Sequence, residues 1–240
     1  MLDTLLALTA AHLIADFPLQ SDWMLARKKN PLVLALHIAV LIGVTILLLG
    51  SVPPLLLAIL AATHLVMDAI KVYALKDTLF CFVIDQLVHL AVILGLVAAF
   101  PDTFAHGFWV TFPVDWLKAG QVAAVLVAGT ILSLHTGAII IKKATAPFLE
   151  QIGTNIEGLR HGGSYIGLLE RALVMLLVLT GQSAGVGFLI TAKSILRFGD
   201  VKESHQRKLT EYVIIGTFLS FGWGMLVAAL TQIALKHWLP

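Results

Sequence analysis

The sequence predicts an all-α fold: a polytopic membrane helix bundle of about eight spans, with a parallel repeat of two helical hairpins in its N-terminal half. Three observations carry this. The chain of 240 residues is 59% hydrophobic and only 12% charged, with a mean hydropathy of +0.94. A soluble domain carries roughly 25% charged residues, so too few polar side chains remain to cover a water-facing surface. Hydropathy and helix breakers divide the chain into eight apolar segments. Inside the first four, ionisable residues recur in one pattern: His12 and Asp16 are followed by His37, and 52 residues later His64 and Asp68 are followed by His89 at the same interval.

The predicted spans are 2–17, 31–50, 54–75, 78–100, 119–141, 164–180, 183–198 and 211–236. The first lacks a basic start and a small-residue cleavage site and contains His12 and Asp16, so it reads as a retained helix rather than a signal peptide. Pro53-Pro54 marks the entry to the third span, and Gly181 divides the sixth from the seventh. The first, sixth and seventh are short. Sixteen residues rise about 24 Å against a hydrocarbon core of about 30 Å, so these three are candidates for re-entrant segments.

Charge distribution orients the bundle. With the N-terminus away from the cytoplasm, fourteen of the 16 Lys and Arg residues fall on the cytoplasmic side, and only Lys118 and Lys236 on the other. That asymmetry obeys the positive-inside rule and places both termini outside the cytoplasm. The expected organisation is a duplicated-hairpin four-helix bundle over 1–100, an interfacial aromatic segment over 101–118, and C-terminal membrane helices over 119–240. The aromatic segment carries Phe104, Phe108, Trp109, Phe112 and Trp116, the pattern of side chains lying at a membrane surface. A cytoplasmic loop over 144–163, rich in glycine, is expected to cover the site. The single cysteine, Cys81, excludes an internal disulfide and a cysteine-based zinc cage. No basic tract points to nucleic acid, and oligomeric state is left open.

On a helix, residues four apart share a face, so His12/Asp16, His64/Asp68 and Asp85/His89 form three such pairs on three spans, with His37 on a fourth. Counted from the span ends, all seven lie in the cytoplasmic third of the membrane. A charged side chain at the centre of a membrane helix costs about 2.5–3.5 kcal/mol on insertion scales. Seven at one depth therefore point to a shared polar site. Because the two copies run in the same direction, an axis along the membrane normal relates them. They diverge where Asp85 and Gln86 replace Val33 and Leu34. Four imidazoles and three carboxylates form a nitrogen and oxygen donor set for a divalent metal, Zn²⁺ foremost and Fe²⁺ or Mn²⁺ as alternatives, holding one ion or two. The plain alternative is a set of hydrogen bonds between helices.

A second polar set lies in the last three spans. Lys193 and Arg197 are four apart and suit a phosphate or carboxylate at headgroup level. Snorkelling to the interface and a salt bridge from this basic pair to Glu170 or Glu211 are the alternatives. Partners are therefore membrane lipid and an anionic lipid or phosphate-bearing substrate.

The motifs His12-x-x-x-Asp16-Phe17-x-x-Gln20, His64-x-x-x-Asp68, Asp85-Gln86-x-x-His89, Leu169-Glu170-Arg171, Ala192-Lys193-Ser194-x-x-Arg197-Phe198 and Glu211-Tyr212-x-x-x-Gly216-Thr217 together resemble a bacterial integral-membrane family catalogued as domain of unknown function 3307. The resemblance implies a bacterial inner membrane and no particular activity. The residues themselves favour a membrane-embedded metal-dependent hydrolase acting on a phosphate- or headgroup-bearing substrate at the cytoplasmic leaflet. His12, Asp16, His64, Asp68, Asp85 and His89 are its expected ligands or their supports, Asp85 and His37 its catalytic groups, and Lys193, Arg197, Glu170 and Glu211 its substrate contacts. The alternatives are a metal-ion or proton transporter and a non-catalytic scaffold or partner subunit. Transporter sites usually lie near the midplane within inverted repeats, which disfavours the former.

Overall fold

The computed structural model describes residues 1–152, 161–197 and 204–239, with side chains at 196, 197 and 204–206 outside that description. Among the described residues the secondary structure is helical throughout, with no strand. Ten α-helices follow one another: α1 (Leu2–Asp16), α2 (Asp22–Ala26), α3 (Pro31–Leu49), α4 (Pro54–Tyr73), α5 (Leu79–Ala99), α6 (Val114–Ile131), α7 (Gly137–Ile152), α8 (Gly162–Leu179), α9 (Ala184–Arg197) and α10 (Ser204–Trp238). Two compact units form, one from residues 1–131 with the C-terminal residues from His237 onward, the other from residues 132–236.

Among the described residues, six helical stretches are long and apolar enough to cross a membrane: Pro31–Leu49, Pro54–Tyr73, Leu79–Ala99, Val114–Ile152, Gly162–Leu179 and Arg207–Trp238. They mark a multi-pass membrane protein. Six of the eight expected spans, 31–50, 54–75, 78–100, 119–141, 164–180 and 211–236, thus have such a helix among the described residues. The helices at Leu2–Asp16 and Ala184–Ile195 are shorter than the other six. The fifth expected span is longer than predicted, because α6 begins at Val114 and helix continues through a π-helical turn at Leu132–Thr136 to Ile152. Residues 144–152 of the expected loop are therefore helical, and 153–160 lie outside the described residues.

The short α1 is the hub of the first unit. It packs against α3, α5 and α6, while α3 meets α4 and α4 meets α5. Ala7, Ala10, Ala11 and Ala15 are all buried along it. Small side chains let neighbouring backbones approach closely, and a helix apolar on every side is a buried one. Thr4 fixes the far end: its Oγ1 donates to the Pro101 carbonyl (2.8 Å) and accepts from the Phe104 amide (3.3 Å).

Local signals set the remaining ends. Asn30 accepts from the Leu32 amide ahead of Pro31, and Thr78 accepts from the Cys81 amide, both N-cap bonds. Gly50 ends α3 in the left-handed region at φ 68°. Its carbonyl accepts from the Phe108 amide (2.8 Å), and Trp109 Nε1 donates to the Leu47 carbonyl (2.7 Å). The aromatic segment is thereby tied to the end of α3. Phe104 is buried in the core, whereas Phe108, Phe112 and Trp116 stay exposed.

The second unit turns on Arg171, which is 3% exposed. A π-helical turn widens the backbone ring and leaves carbonyl oxygens open to outside donors. Here Arg171 Nε donates to Ser133 O (2.9 Å), Nη2 to Leu134 O (3.1 Å) and Nη1 to Ser220 Oγ (3.1 Å). Trp223 Nε1 covers Leu132 O (2.9 Å). The guanidinium thus ties α8 and α10 to the turn.

Two predictions follow from these contacts. A Cβ at Gly50 would sit 2.6 Å from the Trp109 ring on a left-handed backbone, whereas Gly43 has open space around it. Gly50→Ala is expected to cost about 1–2 kcal/mol or more. Gly43→Ala should stabilise by about 0.5–1 kcal/mol, the two shifts being read as opposite changes in Tm in detergent. Hydrogen bonds from charged groups contribute about 1.5–3 kcal/mol each, so Arg171→Leu should lose about 3 kcal/mol or more. Arg171→Lys should not restore it, because one ammonium cannot reach three acceptors arranged for a planar fork.

Candidate metal centre

Four helices of the first unit bring the seven predicted side chains together. α1 supplies His12 and Asp16, α3 supplies His37, α4 supplies His64 and Asp68, and α5 supplies Asp85 and His89. Their side chains are between 0 and 8% exposed. The i, i+4 spacing places each His/Asp pair on one helix face, and the alanines of α1 let the other helices close around it.

The geometry is tightest at Asp16, His37 and His64. His37 Nε2 lies 3.2 Å from His64 Nε2. Asp16 Oδ1 is 3.4 Å from the first and 3.2 Å from the second. Three donor atoms in a nearly equilateral triangle of this edge correspond to one face of a tetrahedron whose centre lies about 2.0–2.1 Å from each, the zinc–nitrogen and zinc–oxygen bond length. Asp68 Oδ2 stands against the edge shared by the imidazoles, 3.5 Å from His37 Nε2 and 3.8 Å from His64 Nε2. His12 Nδ1 faces Asp16 Oδ1 at 3.6 Å, and its Nε2 is 3.4 Å from Gln86 Oε1. The His64 and His89 rings stack with centroids 4.1 Å apart.

Each carboxylate has an inward oxygen without a hydrogen-bond partner: Asp16 Oδ1, Asp68 Oδ2 and Asp85 Oδ1. His89 Nε2 is likewise unpartnered. In Asp68 and Asp85 the other oxygen is occupied. Asp68 Oδ1 accepts from Lys28 (3.1 Å), and Asp85 Oδ2 accepts from Lys71 (2.5 Å) and Gln86 Nε2 (3.1 Å). Buried polar atoms are nearly always satisfied, and these four are left without a partner within the same cluster. Three carboxylates against two ammonium groups also leave one negative charge in excess when the imidazoles are neutral.

Lys28 and Lys71 were not among the predicted site residues. Lys28 comes from the connection between α2 and α3, whose backbone is anchored where Tyr73 donates to the Lys29 carbonyl (2.8 Å). Lys71 follows Asp68 by three residues on α4 but reaches Asp85 on α5. The spacing Asp68-x-x-Lys71 was the one available signal.

The predicted substrate contacts sit in the second unit. Lys193 pairs with Glu170 at 2.7 Å, the salt-bridge alternative from the sequence, so its ammonium already has an anion. Glu211 pairs with Arg207 on an exposed surface. The Arg197 side chain lies outside the described residues. Also missed was Arg171, legible as a charge inside a span but not as the group that holds the π-helical turn.

No curated protein and no solved structure matches the chain. Residues 4–116, the stretch holding all seven converging residues, are similar to the family described as "Protein of unknown function (DUF3307)".

Proposed function

We propose that the protein is a membrane-embedded hydrolase dependent on a divalent metal, held by Asp16 Oδ1, His37 Nε2 and His64 Nε2. The observation that carries this reading is the triangle of donor atoms, 3.2–3.4 Å on each edge. Two imidazoles and one carboxylate are a donor set for catalytic Zn²⁺ and for Fe²⁺, with further coordination positions open to water. A bound ion would supply a nucleophile by lowering the pKa of its water to about 7. Asp68 Oδ2 stands beside the same edge. His12 lies 3.6 Å from Asp16 and would orient that carboxylate, as outer partners of metal ligands do.

The substrate in this reading is anionic, a phosphate ester free in solution or on a lipid headgroup. Lys28 and Lys71 are the cations of the same unit that pair with the cluster's own carboxylates. The basic residues at Arg27, Lys28, Lys29, Lys71 and Lys76 accompany the cluster end of the helices. That supports a site opening toward the cytoplasm of a bacterial inner membrane, with α1 and α9 completing eight membrane segments. Convergence of both His-x-x-x-Asp copies on one point supports the parallel repeat. The Lys28–Asp68 and Lys71–Asp85 pairs favour a second reading, in which the cluster is a self-neutralising structural core of a scaffold.

Elemental analysis separates these. Purified protein should hold a stoichiometric divalent metal, and His64→Ala should lose it together with at least a hundredfold of phosphoesterase activity. Metal at a hundred times its Kd should stabilise the wild type by about 2.7 kcal/mol, read as a rise in Tm that His64→Ala lacks. Metal-free wild type whose His12→Ala/His64→Ala form merely melts earlier would establish the scaffold instead. Metal flux into proteoliposomes, lost in Asp68→Asn and without hydrolysis, would establish a transporter.

A further inference from the structure

We infer that Asp68, Asp85 and His89 hold a second divalent cation beside the one assigned to Asp16, His37 and His64. This deepens the hydrolase reading and rests on it for the first ion. Among the described residues, Asp68, Asp85 and His89 each offer one ligand atom, and the three atoms lie within 4.8 Å of one another. They share no residue with the Asp16–His37–His64 set. A third grouping, His12 with His64 and His89, borrows from both and adds no independent position.

The second set is built to receive a ligand. Asp68 is 1%, Asp85 0% and His89 4% exposed, and Asp68 Oδ2, Asp85 Oδ1 and His89 Nε2 all lack hydrogen-bond partners. Asp85 Oδ1 and His89 Nε2 face one another at 3.4 Å. The lysines do not occupy this space, because each binds the opposite oxygen of its carboxylate. They hold Asp68 and Asp85 so that the remaining oxygens point inward. Asp68 Oδ2 also borders His37 and His64, which makes Asp68 the carboxylate shared between the two positions. Shared carboxylates join paired ions about 3.5–4 Å apart.

The donor sets differ. Two imidazoles and one carboxylate suit Zn²⁺ or Fe²⁺ at the first position. Two carboxylates and one imidazole are richer in oxygen and suit Mn²⁺ at the second. Asp85 is what separates the two halves of the repeat, since Val33 stands at its counterpart. The asymmetry in sequence thus becomes an asymmetry in metal preference.

The test uses the full chain in detergent, loaded with Mn²⁺ alone. The expected result is two ions per chain and the multiline resonance of an exchange-coupled Mn²⁺ pair at low temperature. Asp85→Asn should fall to one ion per chain and show only the six-line signal of an isolated ion. A wild type with one ion and a six-line spectrum, both unchanged in Asp85→Asn, would overturn the second position while leaving the first intact. A wild type with no ion would overturn both. Should Asp85→Asn fail to fold, the wild-type spectrum decides alone.

Discussion

Seven ionisable side chains with almost no exposure to solvent must find one another, and the first unit is arranged around that constraint. Moving a lone carboxylate into a low-dielectric interior is prohibitive unless cations or donors surround it. The structure meets this by centring a short helix whose neighbours close in over alanine. The length of α1, too small for a conventional span, follows from its place: it need not face lipid along its full height when α3, α5 and α6 surround it. Burial of its polar end and closeness of its neighbours are one requirement.

The second unit handles a buried charge differently. Each nitrogen of the Arg171 guanidinium has a partner, two of them backbone carbonyls of a distorted turn. Its binding capacity is directed at the protein's own backbone. In the first unit the reverse holds, because Asp68 and Asp85 each use one oxygen for a lysine and leave the other without a hydrogen-bond partner. Buried charge alone does not mark a site. The difference between the two units is which atoms remain unpartnered.

The sequence revealed the four-helix origin of the site because helical spacing is a local property. His12/Asp16, His64/Asp68 and Asp85/His89 declare a shared face whatever surrounds them, and His37 was found by the repeat. It could not reveal Lys28, whose partner is 40 residues away and which sits in a connection without periodicity. Lys71 looked like an ordinary charge at the end of a span. The π-helical turn carries no composition of its own, so 119–141 read as one regular helix and Arg171 as a charge near the start of a span with no assigned partner. Within 101–118 the aromatic content was legible, but the burial of Phe104 depends on Thr4, a hundred residues earlier. The pairing of Lys193 with Glu170 was visible only as one option among several, since contacts between helices decide it.

The two faces of Asp68 and Asp85 have a consequence for biogenesis. Lysine clasps on the outward oxygens mean that helices entering a membrane without cargo do not present naked carboxylates to one another. Assembly of the bundle therefore does not depend on a bound ion to neutralise Asp68 and Asp85. Under the proposed reading, the chain would reach its final topology first and take up a divalent ion afterwards.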